Sequence, residues 1–521
     1  MKRIRGVSLT LFLALLLIST VCIINISTKS FTSEIKTVVF NSSGQKIHGT
    51  YVQGDLDLDK GVILVHDQGK DKTSMTALAS ALNREGYTVF YYDLPGHGES
   101  DGEFSTNLYT NGYLETTLSK AMDKFVLISG MDMEDIFIVG EGLGARSALK
   151  YAAAYNTAQD LYLIEPFTTR SDSNLISDEL MSVGEHSHVL VLYSGFNQDY
   201  CNVLAPLLYS GLTNEILNTS QSRNINLAGT VEFDQLDYAI PGLEQSSNAY
   251  IKKIVFKVAA NANREIQDDY FNTRSILFFL AMFGMMAMVY FLGKAFAPSM
   301  RVSKKEKSPY GFGVKRMLLS AVVIGLYFLF RYYYADRMVY KISPFYDDVL
   351  VIFAAYALTG LTELKFRKVI HTGDTALGGG IAFFVGFILS TGILFWSLAG
   401  FTGFDVFKTK WFYLGISIIL SWAAFYFYTL EYSVMYMKGA SELVQRYLIR
   451  LAFLVPLIML FIMAFMNGST QLYRMGLQFG LIAFCLYYAE SLQRLGNNMP
   501  VSAFFPAVLY GFMTVSFSVM I

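Results

Sequence analysis

The sequence predicts two structural classes in one chain. They are an α/β domain with a mostly parallel sheet, placed outside the cytosol, and a polytopic α-helical membrane domain. Three observations lead there. Between residues 30 and 270, short apolar strands alternate with amphipathic helical stretches, the pattern of a parallel sheet covered on both faces. From residue 275 onward, eight apolar runs follow one another, as expected of helices that cross a hydrocarbon layer of ~30 Å. The charge is divided in the same way. The formal net charge is −1, yet residues 29–274 hold 32 Asp and Glu against 18 Lys and Arg, whereas residues 275–521 hold 10 against 20. The basic excess of the second half lies in loops between apolar runs, so it marks membrane orientation and not nucleic-acid binding.

The elements follow in order. "MKRIRGVSLTLFLALLLISTVCIINIS" places three basic residues before an apolar run of about twenty, long for a signal-peptide core and sufficient to span a bilayer. Val21 before Cys22 makes a poor lipid-attachment box, so residues 1–29 are expected to form an uncleaved anchor. "TVVFNSSGQKIHGTYV" reads as an antiparallel hairpin leading into the sheet. "GVILVHD" (61–67) is a buried strand, "SMTALASALNREG" (74–86) an amphipathic helix ending at Gly86, and "YTVFYYDL" (87–94) the next strand. "LETTLSKAMDKFVLIS" (114–129) is a second helix, and "IFIVGE", "LYLIEPF" and "VLVLYSG" continue the strands. Residues 30–270 thus form one domain and residues 271–521 another.

In the second domain the candidate spans are 275–293, 317–335, 347–363, 376–400, 411–432, 450–466, 473–490 and 501–520. If each crosses once, the more basic loops fall on one side, which the positive-inside bias assigns to the cytosol along with the N-terminus. Residues 30–270 and the C-terminus then lie outside. Arg331, Glu431 and Glu490 sit near span ends, where long side chains reach the interface. His371 and Asp374 precede a glycine cluster that favours close helix packing. Cys22, Cys201 and Cys485 are too few and too scattered for a disulfide framework or a metal site.

Three ordered motifs carry a resemblance: "ILVHDQG", then "VFYYDLPGHGESDG", then "IVGEGLGARSA". Over residues 35–270 the chain resembles the α/β-hydrolase fold, in the manner of its serine esterase and acylglycerol-lipase branch. The resemblance implies a nucleophile elbow, with serine on a strained strand-to-helix turn, an acid after a later strand and a histidine after the last one. It does not extend to the eight-span region.

Position by position, the implied machinery is degenerate. The elbow residue is Gly142, which has no side-chain atom to attack a carbonyl. Ser147 lies five residues on, inside the helix that leaves the turn. The acid position falls on Gln198, with Asp199 one residue later. The histidine position falls near Asp237 and Tyr238. The six histidines are His48, His66, His97, His186, His188 and His371, so none lies between residue 189 and the next expected span. Without a histidine to take its proton a serine is a weak nucleophile. The retained features point to binding. The resemblance makes His66, Asp67 and Gly69 part of an oxyanion loop facing Gly142, and the backbone N–H of Leu143 is placed to hold an anion or a carbonyl oxygen. Removal of the serine side chain is expected to leave room above Leu143 for a small acyl, peptide or glycan group.

The expected function is that of a polytopic membrane protein whose extracytoplasmic hydrolase-like domain is catalytically inactive and binds a ligand or partner, or regulates the helical domain. One alternative is an active membrane-bound hydrolase or acyltransferase working on lipid or cell-envelope esters through non-standard residues. Another is a transporter or envelope-assembly component with the domain as its cap. The expected partners are membrane lipids, a small ligand or a membrane protein. No cofactor, metal or nucleic acid is expected.

Overall fold

The computed structural model describes most of residues 2–194, two later pieces of the α/β part at 231–236 and 248–261, and helices within 273–516; residues 56–57, 68–69, 103–111, 156–158, 167–172, 185, 195–230 and 237–247 are among those left out. Eight strands make one sheet: β1 (Ile35–Ser42), β2 (Gln45–Val52), β3 (Gly61–Val65), β4 (Thr88–Tyr92), β5 (Ile136–Glu141), β6 (Leu161–Ile164), β7 (Val189–Ser194) and β8 (Val231–Leu236). Their order is β1-β2-β4-β3-β5-β6-β7-β8. The β1–β2 hairpin joins β4 antiparallel, and every pair from β4 to β8 is parallel. The tight turn at Ser43–Gly44, both with positive φ, closes the hairpin that the sequence indicates.

Strand alternation sorts the core into two layers. Ile63, Val65, Phe90, Tyr92 and Ile138 face α3 (Tyr113–Ser129), α4 (Leu143–Tyr155) and α5 (Ser173–Gly184). Val62, Leu64, Val89, Tyr91 and Val139 face α2 (Thr76–Arg84) and α6 (Asn248–Asn261). β3 to β5 are buried at every position, as strands covered on both faces must be. The stacked rings of Phe90 and Phe125, 5.6 Å between centroids, tie α3 to the sheet.

The sheet order also fixes where a site can form. From β3 the chain moves to β4 on one side, and β5 then pairs with β3 on the other. Such a reversal opens a crevice at the carboxyl ends of the two central strands. His66 and Asp67 leave β3 there, and Gly142 leaves β5.

Beyond the sheet lie α7 (Phe312–Tyr334), α8 (Pro344–Arg367), α9 (Lys410–Val434), α10 (Leu472–Gly496) and α11 (Met499–Ser516), with a shorter apolar helix at Phe453–Ile462. Together with α1 (Lys2–Lys29) and Phe278, Ala281 and Met288, they share a separate apolar core. Among the described residues, two helices are long and apolar enough to cross a membrane, Gly6–Lys29 and Phe412–Leu430. The expected spans at 317–335, 347–363, 473–490 and 501–520 coincide with helices but do not reach that combined measure; the one at 376–400 lies outside the described residues. Cys22 and Cys485 are free and buried.

Candidate functional site

β5 ends at Glu141, Gly142 makes the turn and α4 begins at Leu143. Gly142 has φ +52°, a left-handed conformation that side chains disfavour and glycine accepts freely. Its N–H donates to the Ile164 carbonyl at 2.8 Å, and its own carbonyl accepts from the Arg146 N–H at 3.0 Å. The tight strand-to-helix turn expected from the sequence is therefore present, built on a residue with no side chain.

A serine in this place would project into space that is already taken. A Cβ added to Gly142 would collide with the Asp67 carboxylate. Asp67 Oδ1 accepts a hydrogen bond from the Leu143 N–H at 2.9 Å. That N–H is one of the orphan donors at the start of α4, and a carboxylate there also complements the helix dipole. Gly142 supplies no capping group of its own, so Asp67 caps α4 from the neighbouring strand. The room expected above Leu143 is filled by Asp67, and the donor expected to hold a ligand oxygen already holds one from the protein itself.

A second tether reinforces the first. Lys70, from the same loop as Asp67, forms an ion pair with Glu141 just before the elbow, and both side chains are buried. The Lys70 N–H also donates to the Asp67 carbonyl at 3.2 Å, closing a turn.

His66 lies beneath this pair, fully buried. Its Nε2 accepts from the Leu94 N–H at 2.9 Å, so Nδ1 carries the proton and donates to the Asp67 carbonyl at 2.8 Å. Burial pulls its pKa down to about 4, and the ring stays neutral at pH 7. With both nitrogens engaged, His66 is a joint between β3 and β4 and not a base poised for a substrate. His97, its ring 5.3 Å from that of His66, is held by the Pro95 carbonyl at 2.9 Å, and burial lowers its pKa to about 3.

Next to the site, Lys72 Nζ donates to Asp93 and Glu99 at 2.7 Å each, while Asp93 also accepts from the Lys72 and Glu99 backbone N–H groups. Burial draws the Lys72 ammonium down, but the two carboxylates outweigh it and hold the group charged. A Cβ on Gly98, at φ +53°, would run into the Asp93 carboxylate, which explains that glycine in the β4 loop. The charged density of "HDQGKDK" and "DLPGHGESD" was the available signal for this network; sequence reasoning singled out neither Lys70 nor Lys72.

The other expected residues are dispersed. Ser147 is buried in α4 and donates to the Leu114 carbonyl at 3.0 Å, facing α3. His188 lies 3.5 Å from Glu232 at the amino ends of β7 and β8, the end of the sheet opposite the elbow. Gly69, Gln198, Asp199, Asp237, Tyr238, His371 and Asp374 lie outside the described residues. No cluster of metal-ligating side chains occurs among the described residues.

Residues 57–225 match the family model of the serine aminopeptidases, S33. An uncharacterized protein of Mycobacterium tuberculosis is 29% identical over 119 residues, which is 22% of this chain and 31% of that protein. An uncharacterized protein of Mycobacterium bovis matches to the same extent. The chain therefore spans under a third of the length of these curated relatives. Among solved structures, the Pyrococcus furiosus esterase is 16% identical with a TM-score of 0.36, over 46% of this chain and 95% of that one. A CIB-like hydrolase from Thermoplasma acidophilum is 11% identical with a TM-score of 0.31, over 44% and 99%. The family match, the parallel sheet with its switch point between β3 and β5, and the glycine elbow leading into α4 agree on one conclusion: the sheet-bearing part of this chain has the α/β-hydrolase fold.

Proposed function

We propose that this hydrolase-fold domain is catalytically silent and serves a polytopic membrane protein as a ligand- or partner-binding and regulatory module. One observation carries the reading. The place of the nucleophile is empty of any side chain of its own, and the Asp67 carboxylate is seated over it on the Leu143 N–H at 2.9 Å. The absence of histidine from residues 189–370 supports it, because a general base is typically worth ~10²–10⁴-fold in rate. The binding position is the elbow itself, Gly142 and the Leu143 N–H with Asp67 seated over them. An acyl, peptide or glycan oxygen takes the Leu143 donor only by displacing Asp67.

The membrane reading is supported by apolar side chains that point outward on long helices. Examples are Leu17 on α1, Leu326 on α7, Leu358 on α8, Ile419 on α9 and Tyr487 on α10. Such belts on helices of 23–28 residues, roughly 35–42 Å at 1.5 Å per residue, suit a lipid solvent better than water. We place the N-terminus in the cytosol, residues 30–270 and the C-terminus outside, with nine spans in all.

The second reading, an active hydrolase using other residues, is favoured by the match to the serine aminopeptidase family. A fluorophosphonate probe on the full chain in detergent separates the two. The silent domain gives no covalent adduct; stoichiometric labelling would establish the second reading. Protease added to intact cells is expected to cut within 30–270 and to spare 300–316, and the reverse pattern would overturn the topology.

A further inference from the structure

α2 is the anomaly of the fold. In a sheet covered by helices, the outer face of a helix ordinarily meets water. Here Thr76 to Asn83 are buried without exception, and only Arg84 at the end is partly open. One side packs on the sheet through Leu78 and Leu82 and shares an apolar cluster with Ile251 and Ile254 of α6. The polar side meets the end of α1.

That contact has a clear physical cause. The last carbonyls of a helix lack donors within it. Arg84 Nη1 donates to the Lys29 carbonyl at 2.6 Å, and Ser80 Oγ donates to the Ser30 carbonyl. A cation at that end also complements the α1 dipole. Asn83 Oδ1 accepts from the Thr32 N–H at 2.9 Å and the Thr32 hydroxyl at 3.0 Å. Its Nδ2 donates to the Gln53 carbonyl at 2.9 Å and to that of Tyr87 at 3.2 Å. The second tether arrives at the same point: Arg274, buried at the start of the later helices, donates from Nε to the Ser30 hydroxyl at 3.3 Å. α2 therefore caps the first membrane helix and lies within one residue of the second.

The other end of α2 leads back to the elbow. The short helix Lys72–Met75 runs directly into Thr76 and is itself capped by Asp71, which accepts from the Thr73 N–H at 3.1 Å. Asp71 follows Lys70, the residue paired with Glu141, and Lys70 is bonded to Asp67, which sits on the Leu143 N–H. Hydrogen bonds and the chain itself thus connect the elbow to both points where the chain meets its membrane helices, through Asp67 and the stretch 70–84.

We propose that this stretch is a transmission element, so that release of Asp67 from the Leu143 N–H is transmitted along α2 to the junction of Ser30 and Arg274 and alters how the membrane helices are held. The inference deepens the binding reading by naming what a ligand at the elbow changes. Two discrete arrangements are implied, with Asp67 seated or displaced, and linkage requires that the coupling act in both directions.

The test is hydrogen exchange on the full chain in detergent micelles, comparing wild type with Asp67→Ala. Exchange is expected to quicken about tenfold in peptides covering 29–34 and 76–84 through freer local opening, while α3, on the opposite face of the sheet, keeps its wild-type rate. Arg84→Ala is expected to quicken exchange at 140–147, the reciprocal effect. If Asp67→Ala changes exchange only at the elbow and in 66–71, or if α3 quickens equally, the proposal is overturned. Should Asp67→Ala fail to fold, Lys70→Met releases the other tether and is read in the same way. The fluorophosphonate result is independent: labelling would remove the silent-domain reading and leave the mechanical coupling to be judged on exchange alone.

Discussion

The α/β part and the helices beyond residue 312 handle polar and apolar groups in opposite ways. In the α/β part, most large apolar side chains are sealed between sheet and helices, with Leu127 on α3 among the exceptions, and buried ion pairs gather at the carboxyl ends of β3, β4 and β5. In the helices, large apolar side chains line the outside as well as the core, and ionised groups turn inward. Glu490 accepts from Tyr428 at 2.5 Å and from Arg450 at 2.6 and 3.0 Å inside the bundle. Tyr327 and Asp348 pair in the same inward sense. The difference supports the membrane reading proposed above, in which one chain is built for two solvents and each region places outward what suits its own.

The largest effect that sharpens this comparison is expected at Lys72. Lys72→Met leaves Asp93, fully buried, without its cation, and breaking such a pair costs about 3–5 kcal/mol. Chemical denaturation followed by intrinsic fluorescence is expected to show that loss; a change below about 1 kcal/mol would mean the pair is solvated. On the helical side, Ile419 is 62% exposed, so Ile419→Arg is the direct challenge. Facing lipid, it costs about 3 kcal/mol and lowers the amount recovered in the membrane fraction. Facing water, it stays within about 0.5 kcal/mol, and the two-solvent contrast fails.

Acid probes the buried histidines of the α/β part. His66 and His97 are buried neutral, with pKa values of about 4 and about 3 against the ordinary 6.5. Between those values the unfolded chain binds protons that the fold refuses, so stability rises with pH. The contribution is fully present above pH 6.5 and is lost as the pH falls toward 4 and then 3. The loss from His66 alone is about 3 kcal/mol across that window. Melting of the full chain between pH 7 and 4 is expected to fall accordingly, and a His66→Gln variant to show a shallower slope. The smallest effect is reserved for the elbow. Gly142→Ser adds a side chain at φ +52° against Asp67 and is expected to cost about 1–3 kcal/mol without creating ester hydrolysis. Turnover by that variant would show that a base is present after all.

The fold of the α/β part was legible because its signals are local. The "GVILV" run, the alternation of strand and helix and the glycines around residue 142 each specify their own backbone. The elbow itself was legible for the same reason. Its occupant was not. Asp67 and Leu143 are 76 residues apart, and no pattern within "HDQG" says that the aspartate turns toward the neighbouring strand's helix. Lys70 with Glu141 and Arg84 with Lys29 escaped for the same cause, being pairs that exist only once β3 lies beside β5 and α2 beside α1. The helical region was legible by hydropathy as a set of runs, but pairings such as Arg450 with Glu490 depend on which helices become neighbours.

The seat of Asp67 on the Leu143 N–H also bears on the history open to this domain. A lone mutation at residue 142 meets an aspartate already in its space, and a lone mutation at residue 67 strips α4 of its cap while gaining nothing at the elbow. Each change is harmful until the other has occurred, a case of sign epistasis. On the silent-domain reading proposed above, the glycine at the elbow is therefore guarded by a ratchet, and drift through single substitutions leads away from a serine there more readily than toward one.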